Sequence, residues 1–496
     1  MTNYTKRAVR GAGIIFLMSM LASVLAYVTR IVLARNLGPA EYGSFSSVLT
    51  FVIFFLFFRD LGFPSAIIKY TSHFAATKEY GKIKSVLATA LSVQMLVSII
   101  FVIIFYVLAD FLAAVYFKNQ ETALFLKMFG VYIFGSVFFI TSKDLLLGLQ
   151  KNFLFSLGEL LKNGIILVLI LFFLKQGYQT LAPVYAYALV CWILFMFFFP
   201  FLIASFPFYK YRLDDFSAVS RKVCLFALPV FATAVGGKVI AYIDTLILTY
   251  FRSSAEVGIY NAVLPSALLF LYFGTAIGSV TMPLASELIV KHDNLRLIAG
   301  IKSLYHYLFA AVIPLMAVAF AFSGFFLEVF FGKEYIVGAG AFQILLLGIL
   351  VFMLASINHT IFAAFGKPWI VTKIILFAAV INAGFNLLLI PKFGIVGAAF
   401  STTLSYILAF VLSVWKMRQL LHFKVPLKIW TIQFLLGILL VIMLFEISFL
   451  LHMSPWLEVI FSFVLGTIIY VLLLYLFKVI DITEIKKYLR LVQLKY

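Results

Sequence analysis

Charge is what this 496-residue sequence has least of: Asp, Glu, Lys and Arg make up only 11% of it. Soluble domains carry about 25% charged and about 45–50% apolar residues. With 65% hydrophobic residues here, no water-soluble fold can hide the apolar surface, so lipid is the solvent for most of the chain. Cysteine is nearly missing too. Cys191 and Cys224 both fall in or beside apolar runs, a pattern that excludes a disulfide framework or zinc site and leaves two packing residues. No compact basic domain exists, so the formal net charge of +19 does not imply nucleic acid. No G-x-x-x-x-G-K-[ST], H-E-x-x-H or nucleophile elbow occurs, and Gly236-Gly237-Lys238 lacks the upstream Gly and the Ser/Thr of a phosphate loop. These absences exclude an ATPase, a metalloenzyme and a serine hydrolase. No catalytic residue, cofactor or metal ligand is assigned. Finally, Lys6, Arg7 and Arg10 precede an apolar run too long for a signal peptide and without a small-residue cleavage site. That run reads as a retained first helix.

What the chain does contain is long apolar runs. A spanning helix needs roughly 20 mostly apolar residues. Fourteen segments qualify: 11–35, 42–66, 84–111, 122–148, 155–174, 181–205, 221–250, 257–288, 299–330, 336–364, 370–391, 395–417, 428–450 and 455–479. The expected fold is therefore an all-α polytopic membrane protein with no room for a separate soluble domain. Basic residues crowd alternate connections. Lys69, Lys78, Lys82 and Lys84, then Lys143 and Lys151, then Lys210, Arg212, Arg221 and Lys222 fall on the side of the N-terminus. Lys291, Arg296 and Lys302, Lys367 and Lys373, Lys416, Arg418, Lys424 and Lys428 follow, and Lys478, Lys486, Lys487, Arg490 and Lys495 end the series. The opposite side holds only Arg35, Lys118, Lys127, Lys175, Arg252, Lys333 and Lys392. This positive-inside asymmetry places both termini in the cytoplasm and the protein in the plasma or inner membrane.

The sequence also echoes itself. Ala40-Glu41-Tyr42-Gly43 follows the first span and Ala255-Glu256-Val257-Gly258 follows the seventh. The same offset aligns Ala26-Tyr27 with Ala241-Tyr242. A second echo sets Gly148-Leu149-Gln150-Lys151 after span four against Phe365-Gly366-Lys367 after span ten, shifted by one residue. The reading is a six-helix unit used twice in parallel: a lobe at 1–215, a lobe at 216–420, and two added spans with a tail at 421–496.

Arg30-Ile31-Val32-Leu33-Ala34-Arg35-Asn36-Leu37-Gly38-Pro39-Ala40-Glu41-Tyr42-Gly43 resembles the R-x-x-L-A-R-x-L-G-P-x-x-Y-G signature of polysaccharide-biosynthesis flippases. Asn382 through Asn386, Ile390-Pro391 and Gly394 through Ala399 resemble the same family's N-x-x-x-N…I-P-x-x-G-x-x-G-A-A run, and Asp60-Leu61-Gly62 and Gly148-Leu149-Gln150-Lys151 also match. The family is a branch of the multidrug/oligosaccharidyl-lipid/polysaccharide exporter superfamily. The resemblance implies two pseudo-symmetric six-helix lobes around a central cavity that opens alternately to each side.

A polar head group crosses hydrocarbon only through a wet, partly cationic path. Ionisable residues inside spans are therefore the candidates. Lys238 lies about seventeen residues into span seven, roughly 25 Å along the axis from Arg221. It reads as a phosphate contact, or alternatively as a partner of Asp244 or a snorkelling lysine. Arg30 offers bidentate phosphate recognition or an interfacial anchor near Arg35. Asp244 is a charge partner for Lys238 or Arg30, or a proton or sodium site. Tyr27 and Tyr242, at aligned places, are stacking surfaces for sugar or packing residues. Arg59-Asp60 reads as an interfacial pair and Glu159/Lys162 as a local helix pair. Asn358, His359, Asn382 and Asn386 read as interhelical hydrogen-bonding groups.

Together these readings describe a non-enzymatic flippase. It moves a polyprenyl-(di)phosphate-linked oligosaccharide from the cytoplasmic to the outer leaflet. Its partners are the lipid-linked oligosaccharide, membrane lipids and polymerase or glycosyltransferase machinery, not nucleic acid. A monomer suffices. The alternatives are a cation-coupled drug antiporter of the same fold, which calls for acidic rather than basic cavity residues, and a lipid II flippase. A membrane glycosyltransferase would need paired carboxylates or a large soluble loop.

Overall fold

A computed structural model of the chain describes residues 3–423, 425, 427–451, 454–477 and 479. The expected charges Lys424, Lys478, Lys486, Lys487, Arg490 and Lys495 lie outside the described residues. Among those described, every regular element is helical: α1 (Asn3–Asp60), α2 (Phe63–Ala76), α3 (Tyr80–Val115), α4 (Glu121–Gly148), α5 (Asn152–Lys175), α6 (Leu181–Ser205), α7 (Phe216–Phe251) and α8 (Ser254–Leu268). Then come α9 (Leu271–Val290), α10 (Asn294–Ala321), α11 (Ser323–Phe331), α12 (Ala339–Ala364), α13 (Pro368–Leu421), α14 (Leu427–Leu451) and α15 (Pro455–Leu476), with two short 3₁₀ turns.

Among the described residues twelve continuous stretches are long and apolar enough to cross a membrane. Two of them, α1 and α13, are broken by glycines in conformations that ordinary residues avoid: Gly38 at φ 70° beside Pro39, and Gly394 at φ 54° after Pro391. Each therefore contributes two spans, which brings the number to the fourteen expected.

Three boundaries differ from the sequence reading. Span two stops at Asp60, not at residue 66, because Leu61 and Gly62 take φ of 45° and 80° and the chain restarts as α2 with Pro64 in its first turn. Gly62 has no alternative: a Cβ there would sit 2.3 Å from the Ala227 carbonyl oxygen. The eighth span is interrupted between α8 and α9, and the ninth divides at Phe322 into α10 and α11. Apolar runs continue through the last two points, so hydropathy alone does not register them.

The second sequence echo becomes one turn built twice. Gln150 N donates to Leu147 O and Lys151 N to Leu146 O, at 2.9 and 2.8 Å. Gly366 N donates to Ala363 O and Lys367 N to Phe362 O, both at 2.9 Å. This is a Schellman ending with the left-handed residue at Gln150 (φ 60°) or Gly366 (φ 69°). Gln150 is thus the counterpart of Gly366, as the one-residue shift of the echo has it. Gly148 is glycine for another reason, since its Cβ would lie 2.7 Å from Cβ of Thr71.

The chain forms two compact units. The first comprises Met1–Ala262 with Asn386–Ile395. Here α1 packs on α5, α4 on α6 and on α3, and α7 on α1, α2 and α3. Its interior is aromatic, with Phe45, Phe125, Phe129 and Phe139 at most 2% exposed. The second comprises Val263–Phe385 and the described residues from Val396 onward. In it α9 packs on α12, and α10 packs on α14 and α15.

Candidate functional site

Helix α7 runs 36 residues, roughly 54 Å, with Pro229 inside it. Its middle exposes Ala232, Thr233, Ala234, Gly237, Lys238 and Ala241. At the start of this same helix the exposed residues Leu225 and Leu228 are bulky and apolar. A stripe of small residues around a lysine is a poor surface for acyl chains and a good one for water and a polar guest. The Lys238 ammonium lies 5.7 Å from the ring centroid of Tyr242 and 6.0 Å from that of Phe57. Phe57 stacks in turn on Phe231, centroids 4.9 Å apart. The ammonium is thus held between two ring faces by a cation–π attraction worth about 0.5–2 kcal/mol, with its hydrogens still available.

Of the residues singled out from the sequence, Lys238 and Tyr242 come together. Phe57, from the end of span two, joins them and was not anticipated; in a chain with 58 phenylalanines nothing in the sequence marks it. Arg30 is half-buried in the first part of α1, where its guanidinium acts electrostatically on the phenols of Tyr42 and Tyr187. Tyr27 is half-buried one turn before it.

Asp244 is 1% exposed and is gripped from two other helices. The Tyr260 hydroxyl donates to its Oδ2 at 2.7 Å and the Asn386 amide donates to its Oδ1. Neither partner was expected: the sequence reading set Asp244 against Lys238 or Arg30 and used Asn386 generically. The carboxylate ties α7 to α8 and to residue 386 of α13, six residues beyond Lys238 along α7. Asn358 behaves as an interhelical group, accepting from the Tyr305 hydroxyl and donating to Ser413 Oγ at 2.9 Å. Asn382 donates to Thr402 Oγ1 at 3.4 Å. His359 is half-buried, with Nε2 enclosed and lacking a hydrogen-bond partner.

Arg59 and Asp60 do pair, at the end of α1. Arg59 is fully buried, donating to the Ile133 carbonyl at 3.1 Å, to Ser136 Oγ and to Asp60. Glu159 does meet Lys162, at 3.6 Å, and also meets Lys143 across from α4. Both clusters are internal struts of the first unit.

At the far end of α7, the two copies of the repeated tetrapeptide meet. A Cβ on Gly43 would lie 1.7 Å from Ser254 O, and one on Gly258 would lie 2.0 Å from Pro39 O. The glycines of the first echo are therefore each other's neighbours, backbone against backbone. Tyr42 Oη donates to the Asn261 carbonyl at 3.5 Å. Beside them Arg252 pairs with Glu256 at 2.9 Å and donates to Pro391 O at 3.4 Å. Gly394 lies over that ion pair, its Cβ position 2.2 Å from a Glu256 oxygen. Three turns that carry the sequence motifs are thus locked together inside the first unit. Among the described residues no three His, Cys, Asp or Glu side chains converge as a metal site requires.

This chain is similar to several known proteins. It is 28% identical to an uncharacterized membrane protein, MJ1068, of Methanocaldococcus jannaschii, over 98% of each chain. It is 24% identical to the probable low-salt glycan biosynthesis flippase Agl15 of Haloferax volcanii, over 52% of this chain and 55% of that one. Its fold matches that of the lipid II flippase MurJ in an inward closed conformation with a TM-score of 0.75, at 15% identity, covering 93% of this chain and 98% of that one. The stretch that bears the repeated tetrapeptide, the buried struts and Lys238 is also the stretch, residues 8–289, that matches the family described as polysaccharide biosynthesis protein, and to that family this chain belongs.

Proposed function

We propose that this protein is a flippase for a polyprenyl-(di)phosphate-linked oligosaccharide, working by alternating access, with Lys238 as the phosphate contact. The observation that carries the reading is the exposed ammonium in the middle of a membrane span, framed by Phe57 and Tyr242 on a small-residue face of α7. Lys238 offers charge to the phosphate, and the adjoining rings offer flat apolar faces to sugar. The lipid tail stays in the bilayer, so the protein need only shelter the head group, whose bare transfer into hydrocarbon is prohibitive. Arg30 and Tyr27, on α1, extend the same polar path. Asp244 is a positioning residue that holds α7 through Tyr260 and Asn386. The locked turns at Gly43, Gly258 and Gly394 form the outer seal that opens to release the product.

The orientation that goes with this reading puts both termini in the cytoplasm, with lobes at 1–215 and 216–420 and the residues from 421 onward added to them. Family membership and the likeness to Agl15 support a membrane transporter of lipid-linked glycans. The basic character of the exposed site disfavours a cationic drug as cargo.

The test is transbilayer movement of a fluorescent polyprenyl-phosphate-linked oligosaccharide in proteoliposomes. Lys238→Ala lowers the rate about tenfold or more, the value of a charge-assisted hydrogen bond, while Lys238→Arg retains most of it. No movement of any lipid-linked sugar by wild-type protein, together with gradient-driven export of a cationic dye, overturns the reading.

A further inference from the structure

On the outer surface of the first unit, α3, α4 and α6 enclose a groove of about 570 Å³ that takes no part in the site above. Along α4 it is lined by Lys127, Gly130, Phe134 and Phe138, one helical face, and it is walled by Val102 of α3 and Trp192 of α6. From residue 127 to residue 138 it runs roughly 16 Å, about half the ~30 Å hydrocarbon core. Gly130 keeps the floor deep, since even a Cβ there would lie 3.3 Å from a Val102 methyl. Trp192 is pinned as a wall by its Nε1, which donates to the Val131 carbonyl at 3.0 Å. The lining is apolar except at one end.

That end lies near the turn where α3 finishes and α4 begins, at one membrane surface. There Lys127 Nζ meets Asp110 Oδ2 at 3.1 Å and Oδ1 at 3.3 Å, and sits 5.5 Å from the Tyr106 ring centroid. Lys127 is 30% exposed at its side chain and Asp110 is 73% exposed. The order outward is therefore apolar groove, ammonium, carboxylate. A phospholipid with a zwitterionic head has the complementary order: chain, phosphate, amine. The net charge of the pair is zero, which matches such a head and offers less to one that is only anionic. A dry apolar trough at membrane depth with no chain in it would forfeit dispersion contacts along its whole length.

We propose that this groove is a binding site for one zwitterionic phospholipid, an acyl chain along Gly130–Phe138, its phosphate on Lys127 and its amine on Asp110. The bound lipid fills the seam between α3, α4 and α6 and belongs to the leaflet at the 116–120 turn.

The experiment is native mass spectrometry of the full-length protein after delipidation and addition of phosphatidylethanolamine or phosphatidylglycerol at matched concentrations. Wild type retains one phosphatidylethanolamine about tenfold more persistently than phosphatidylglycerol, the scale of one charge-assisted contact. Val131→Trp, at a surface position on the rim, fills the trough and abolishes retention of both. Lys127→Ala lowers phosphatidylethanolamine retention about tenfold. Asp110→Asn leaves an unbalanced cation and removes or reverses the preference. Equal retention by wild type and Val131→Trp, or no preference between the two lipids in wild type, overturns the proposal. If Val131→Trp does not fold, Asp110→Asn decides it alone: an unchanged preference counts against the site.

Discussion

Replacing Gly43 by alanine tests the tightest contact in the molecule. The added methyl would stand 1.7 Å from the Ser254 carbonyl oxygen, 2.7 Å from its carbon and 2.8 Å from the Gly258 nitrogen. All three are backbone atoms at the start of α8, so no side chain can swing away. Relief requires the two turns to part by more than about 1 Å, and overpacking of this kind costs about 1–3 kcal/mol. That is a shift of about 5–150-fold away from the joined state. Gly258→Ala meets Pro39 O at 2.0 Å and has the same effect. Because both substitutions force one separation, the double variant costs clearly less than the sum of the singles. Gly340→Ala is the control, since a Cβ there meets nothing within 4 Å and alanine favours the helix by about 0.5–1 kcal/mol. Hydrogen–deuterium exchange of peptides covering 36–46 and 252–262 reads the separation directly. Faster exchange in both segments from either single variant is expected. Unchanged exchange in Gly43→Ala, or strictly additive effects in the double variant, refutes the reasoning.

Further expectations follow from buried polar groups. Arg59→Ala removes a fully buried guanidinium and leaves Asp60 and Ser136 without it, which lowers unfolding stability by about 3–5 kcal/mol; an unshifted thermal transition in detergent counts against the strut. Asp244→Asn puts an amide NH2 where one of the two accepting oxygens stood, so the Tyr260 hydroxyl or the Asn386 amide faces a donor at a cost of about 1–3 kcal/mol, visible as a lower melting transition. Tyr305→Phe strands the oxygen of Asn358 and costs about 1–3 kcal/mol, with transport in folded protein unaffected.

Lys238 stood out as a candidate because an ammonium inside an apolar run contradicts its surroundings, and hydropathy detects contradiction. Tyr242 was legible through the repeat. Phe57 was not, because its significance is a ring 6.0 Å from an ammonium 181 positions away in sequence, and a phenylalanine beside phenylalanines carries no local signal. Arg59 was legible as charged but not as buried: its partners come from α4, and only packing of α1 on that helix moves it inside. Asp244 showed the same limit, since one of its donors lies 142 residues away.

By itself, then, the sequence determined the number of spans, the helical class, the repeat and the breaks at Gly38 and Gly394. All of these follow from hydropathy over about 20 residues or from the backbone freedom of one glycine beside a proline. Only the tertiary structure decided that the two repeated glycines touch and that Asp244 is held by Tyr260 and Asn386. Those facts depend on which apolar faces meet, and in a chain where nearly every face is apolar, composition does not say which partner packs best. Steric fit between backbones and the need of each buried polar group for a hydrogen bond make that choice.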